Sequence, residues 1–143
     1  MTLSDRDRIH DRLLAYCDAA DRGDVDAIVR CFAPDGIADY GPRVGAVGHD
    51  ELRPLFTRFL ASNEATSHHL TNVRIAVTGD TATSTAYISA WHLLQTGDHL
   101  TIHGRYVDEL VRLDGGWRIA RRRLEVHGSD GPAVAFHRLE RAH

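Results

Sequence analysis

The chain has 143 residues, 43% of them apolar, and a formal charge of -3 with histidine neutral, so one domain with a substantial core is expected over residues 1–143. The 17 basic residues are all arginine against 20 acidic ones; this leaves no electrostatic footprint for nucleic acid or a membrane surface and removes lysine Schiff-base chemistry. Cys17 and Cys31 fall on helix stripes as small buried hydrophobes, no signal-peptide core opens the chain, and no apolar run approaches the roughly twenty residues that span a bilayer. A cytoplasmic protein with a small-molecule ligand or a protein partner is the expectation.

In chain order, Ile9, Leu13, Tyr16, Cys17 and Ala20 recur at helical spacing behind a Ser4/Asp7 capping box, and Gly23 stops this first helix. Asp24 caps a second helix with the stripe Val25, Ile28, Val29 and Phe32. Asp21 lies one residue beyond Ala20, at the margin between core and water, where a carboxylate is either a solvated group or a base facing a cavity. Pro34-Asp35-Gly36 is a turn, residues 37–40 a short strand, and 43–48 a glycine-punctuated loop or second short strand. A third helix is predicted from about Asp50, with Leu52, Leu55, Phe56, Phe59 and Leu60 on its stripe and Pro54 tolerated in its first turn.

From Ser67 onward the period becomes two, which predicts a four-stranded antiparallel meander. Val73, Ile75 and Val77 alternate up to Gly79-Asp80. The second strand, about Thr81 to Gln95, carries Ala86, Ile88, Ala90 and His92 on one face and Tyr87, Ser89 and Trp91 on the other. The third runs about Leu100 to Leu113 and the fourth about Trp117 to Val126. Apolar residues on both faces of the second strand predict helices against one face and a neighbouring subunit against the other. After a loop at 128–132, the tail is expected to close with a short helix around Ala133 to Arg141.

This order of elements, with Gly23-Asp24-Val25-Asp26-Ala27-Ile28, Phe32-Ala33-Pro34-Asp35-Gly36, Gly104-Arg105-Tyr106 and Asp114-Gly115-Gly116-Trp117-Arg118-Ile119, resembles the nuclear-transport-factor-2-like superfamily over residues 4–127. The resemblance implies an α+β cone: a curved, mainly antiparallel sheet enclosing a pocket, with three helices packed on it. Within the superfamily the chain is similar to the SnoaL-like group near scytalone dehydratase, whose site combines an Asp, two His and a Tyr. Those roles fall on Asp21, on the histidine of the first meander strand, on His92 and on Tyr40. The dehydratase has a second Tyr where this chain has Ala20 and a Ser at about Gly104.

The resemblance therefore implies cofactor-free acid–base catalysis, with no metal, on a small apolar carbonyl or phenolic (polyketide-like) compound. Dehydration, a lyase reaction, comes first; polyketide cyclisation, ketosteroid-isomerase-like proton shuttling and inert binding are the alternatives. Asp21 would back His68 as general base, while Tyr40 and His92 manage the oxygen. Strict alternation from Val73 places His69 inward instead, whereas the family pattern needs a bulge that favours His68. Tyr16 occupies the position of the isomerase tyrosine, but the isomerase base falls on Tyr40, and Asp39 points to the opposite strand face. Arg122, in phase with Ala120 and Leu124, is a candidate for holding an anionic substrate group. His99 and His103 share a strand face without a third metal ligand in view. A homo-oligomer through the outer sheet face is expected, a trimer before a dimer.

Overall fold

The computed structural model describes residues 2–114 and 116–142. Ser4 and Asp7 form a reciprocal capping box that starts α1 (Asp5–Asp21). The helix ends as its glycine predicts. Gly23 sits at φ +70°, its N–H donates to the Ala20 carbonyl at 3.1 Å, and the Asp24 N–H donates to that of Ala19 at 2.9 Å. Asp24 then accepts from the Ala27 N–H to open α2 (Val25–Arg30). Asp21 is thereby left on the last turn of α1.

β1 (Phe32–Gly41) starts earlier than the predicted 37–40, because Phe32 already pairs with Ile119; the Pro34-Asp35-Gly36 turn survives as a register shift between Phe32 and Ile37. Residues 43–48 contain β2 (Val44–Val47), and α3 (His49–Ala61) follows Gly48 at φ +79°. Because α3 begins at His49, Pro54 lies in its second turn and not its first, so α3 forgoes the bond a residue 54 N–H would make to the Asp50 carbonyl. Leu52, Leu55 and Phe56 are buried along the predicted stripe.

The meander comprises β3 (Asn63–Thr78), β4 (Thr81–Leu94), β5 (His99–Leu113) and β6 (Gly116–Asp130), all antiparallel neighbours. β1 joins β6 in parallel, giving the mixed order β2-β1-β6-β5-β4-β3, a curved sheet that does not close on itself. The helices cover one face of it, and Ile9, Leu13, Phe32, Leu52 and Trp117 pack in between.

The tail differs from expectation. β6 continues through residues 128–130, and no helix forms over 133–141; the segment is extended and β7 (His137–Arg138) pairs in parallel with β6. The reason lies in the sheet. β1 pairs with β6 only as far as Arg123, so the backbone at Glu125 and Val126 is free to take up the tail, and the Leu139 N–H donates to the Val126 carbonyl at 3.0 Å. Among the described residues, no helix is long and apolar enough to cross a membrane.

Candidate active site

Helices, concave sheet and tail enclose a cavity of about 350 Å³. Its walls are mostly apolar, with Ile28, Phe56, Phe59 and Leu60 from the helices, Ile88, Ala90, Leu100 and Ile102 from the sheet, and Val134, Ala135 and Phe136 from the tail. Polar groups enter at few places: His68, His92 and Thr66 on one wall, Ser62 and Asn63 after α3, and three tyrosines.

At that wall His68 meets Asp21, 47 positions away in the chain. His68 Nδ1–H donates to Asp21 Oδ1 at 2.6 Å, the His68 backbone N–H donates to Oδ2 at 2.9 Å, and Thr66 Oγ1–H donates to Oδ1 at 2.9 Å. A carboxylate at a helix C-terminus faces the negative end of the helix dipole and needs such partners. Burial pushes its pKa up, but the bonds from His68 and Thr66 outweigh that and hold it below the usual carboxylate range. A carboxylate can only accept from Nδ1–H, so the neutral imidazole carries its lone pair on Nε2.

A bulge decides which histidine faces inward. β3 pairs Thr71 with Tyr87 and then Arg74 with Thr85, so two residues oppose Ala86 alone, and Asn72 adopts φ +52°. The phase inverts at that point. Ile75 and Val77 lie opposite Ser84 and Ala82, while His68 and Leu70 lie opposite Ala90 and Ile88, and all four of those β4 residues are buried on the concave side. His69 consequently lies on the outer face, exposed, in contact with Ser67 Oγ at 2.9 Å.

His92 stands across from Thr66, its ring edge-on to His68 with centroids 5.7 Å apart. Burial pushes its pKa below the ordinary 6.5. Nδ1 lies 3.2 Å from the Leu100 carbonyl, which can only accept, so the neutral ring again presents a lone pair at Nε2.

At the floor, Tyr40 is buried and its hydroxyl lies 2.7 Å from that of Tyr16. Tyr106, quoted above only as a fold marker, packs edge-on to Tyr16 and lines the same cavity. Arg122 does point inward, but the expectation that it holds an anionic substrate group is not met. It is 0% exposed, does not line the cavity, and its Nε and Nη2 donate to both oxygens of Asp108 at 2.9 and 2.8 Å. Asp39 faces away from the cavity and joins Arg121, Arg123 and, at 2.6 Å, His137 Nε2. That cluster anchors the tail that carries Phe136, whose ring packs edge-on to Phe59. Outside the cavity, Trp91 Nε1–H donates to His99 Nδ1 at 3.1 Å.

Sequence reasoning missed Thr66 and the tail residues. Thr66 is one of many polar residues in a strand, and Val134 to Phe136 acquire a role only through the pairing of β7.

An open α+β cone with an acid–imidazole pair inside it defines the class, the nuclear-transport-factor-2-like fold. The SnoaL-like domain family matches residues 1–123, and the chain belongs to that family. The uncharacterized protein Rv2910c of Mycobacterium tuberculosis is 33% identical over 124 residues, 84% of either chain. Among solved structures, a Novosphingobium aromaticivorans protein given the provisional name scytalone dehydratase superposes with a TM-score of 0.91 at 25% identity, over 96% of this chain and 95% of that one. A second protein from that organism, provisionally named an aromatic ring hydroxylase, superposes at 0.86 with 31% identity, over 92% and 96%. The hexachlorocyclohexane dehydrochlorinase LinA (type 2) shares the fold, at 0.81 and 18% identity over 94% and 93%.

Proposed function

We propose that the protein is a cofactor-free lyase that dehydrates a small, mostly apolar carbonyl or phenolic compound of polyketide type. One observation carries the proposal: the 2.6 Å bond between Asp21 and His68, which leaves the imidazole Nε2 lone pair to the cavity. His68 Nε2 takes the proton alpha to the carbonyl, and Asp21 stabilises the imidazolium that forms. The C–H electron pair passes first towards the carbonyl oxygen, giving an enolate that can take back a solvent-exchanged proton, and the enolate then collapses to the new double bond as the C–O bond to the β-hydroxyl breaks. His68 returns its proton to the departing oxygen, which leaves as water. The carbonyl oxygen, negatively charged in the transition state, is met by the hydroxyl proton that the Tyr16–Tyr40 pair has left to donate. His92, neutral and pinned to Leu100, accepts a hydrogen bond from the leaving hydroxyl, which keeps its hydrogen, and so orients it; it is not itself a donor to the carbonyl.

The provisional dehydratase name of the 0.91 structural neighbour supports elimination. Isomerisation is disfavoured because Asp39, the nearest carboxylate to the isomerase-base position, is on the other side of the strand with His137 and two arginines. The hydrogen bonds between Asp21 and His68 favour catalysis over inert binding, which has no need of such a pair. Cyclisation would use the same base.

The deciding experiment offers the protein a bicyclic β-hydroxy ketone and an aromatic polyketide in D2O. Water loss with α-deuteration of the ketone is the expected result. Ring closure of the polyketide alone would replace elimination by cyclisation, and no conversion or exchange of either would overturn the enzymatic reading.

A further inference from the structure

Below the cavity floor lies a buried cation for which the elimination has no direct use. Arg122 sits between two phenol rings, its Cζ 3.9 Å from the ring centre of Tyr106 and 4.4 Å from that of Tyr16. Asp108 takes Nε and Nη2, and Nη1 has no hydrogen-bond partner among the described residues. Stability gives a poor account of this arrangement, because a buried ion pair generally does no better than apolar residues of the same size, and an unmatched N–H makes it worse. Tyr16, Tyr40 and Tyr106 all line the cavity, Arg122 does not, and two of those three rings lie against its guanidinium.

We propose that Arg122 is a positioning residue for an oxyanion site: clamped between Tyr16 and Tyr106, it fixes and polarises the tyrosine hydroxyls so that the cavity floor prefers an enolate or phenolate oxygen to a neutral one. A guanidinium on the ring faces withdraws electron density from both phenols and makes their protons better donors. The Tyr16–Tyr40 bond of 2.7 Å passes this polarisation to the second hydroxyl. Burial pushes all three tyrosines up and keeps them protonated at neutral pH, while Arg122 pulls each one down, being the largest opposing influence on Tyr16. Protonated phenols beside a fixed cation are donors to an anion, the arrangement an enolate oxygen requires. The inference rests on the carbonyl-or-phenol reading of the cavity, but not on His68 being the base.

The probe is 4-nitrophenol, whose absorbance reports its ionisation, with 4-nitrotoluene as its neutral counterpart. At a fixed pH near the probe's own pKa, the wild type should bind it more ionised than it is free in solution. The double variant Arg122→Met/Asp108→Leu removes the pair without stranding a charge. It should lower the phenolate-over-phenol preference by about tenfold, with 4-nitrotoluene affinity unchanged and circular dichroism showing the fold intact. If the double variant does not fold, Arg122→Lys, which keeps the charge but cannot lie flat against two rings, should show a smaller drop in the same preference. His68→Ala should leave the preference standing, so a failed elimination and a failed oxyanion site are told apart. A bound probe no more ionised than free, an unchanged preference in the folded double variant or in Arg122→Lys, equal losses for both probes, or a preference abolished by His68→Ala would each overturn the proposal.

Discussion

Replacing Asp21 with asparagine keeps the side chain's shape and changes what it can bond. The His68 backbone N–H can only donate, so the asparagine oxygen takes the Oδ2 place that accepts from it and Nδ2 takes the Oδ1 place, where the Thr66 hydroxyl can turn to accept but His68 Nδ1–H is met as donor against donor across the present 2.6 Å. The imidazole escapes that clash by carrying its proton on Nε2, the atom that faces the cavity, and the base is lost without any atom being removed. Loss of a positioned general base is worth a factor of about 10² to 10⁴, or about 3–5 kcal/mol of transition-state stabilisation. Stability should fall much less, by about 1–2 kcal/mol, because one charge-assisted bond is lost at a carboxylate that is 29% exposed and keeps some water. Two assays check this: α-hydrogen exchange of the ketone in D2O, and the imidazole tautomer by nitrogen-resolved NMR, which needs no substrate. Asp21→Asn protein with His68 still protonated at Nδ1 and an undiminished exchange rate would refute the reasoning.

His68→Ala should abolish exchange while His69→Ala leaves it within about twofold, since His69 lies on the outer face; equal effects in the exchange assay would place the bulge wrongly. Burial depresses the folded-state pKa of His92 below 6.5, so the unfolded chain binds a proton first as the pH drops. The stability that neutral His92 contributes is therefore complete above that value and lost as the pH falls through its folded pKa. Thermal unfolding between about pH 8 and pH 5 should show the loss in wild type and a shallower one in His92→Gln; identical slopes would count against it. Gly104→Ser should cost roughly 1–3 kcal/mol in urea unfolding, because a Cβ there meets the Glu125 carbonyl oxygen at 2.5 Å; an unchanged midpoint would show that β6 yields. A homo-oligomer, proposed through the outer face where Tyr87 (41% exposed) packs on His127 and Trp91 on His99, predicts a trimer by light scattering that Tyr87→Arg dissociates, and a monomeric wild type would reject it.

The elements were legible because local rules act on neighbouring residues. The capping box, the Gly23 stop and the Asp24 cap each involve groups within a few positions, and the period-two pattern from Ser67 needs only alternation to announce a meander. Asp21 could be placed at the end of α1 for the same reason, and the family resemblance supplied the histidine that meets it. The direction of that histidine was another matter. Alternation from Val73 indicates His69, and what turns His68 inward is an extra residue at Asn72, accommodated by the partner strand. The tail likewise has no pattern of its own, because its conformation depends on where β1 stops pairing with β6. Arg122 is the clearest case: its phase announced an inward side chain, yet whether a buried cation meets substrate or an aspartate depends on Asp108, brought beside it by the register of β5 against β6. Local sequence determines which residues are helical, extended or turned and which face is apolar, since those preferences are written within a turn or two. Which polar groups share the interior, and so which of them can do chemistry, is decided by strand register and bulges, because these set contacts between residues far apart in the chain.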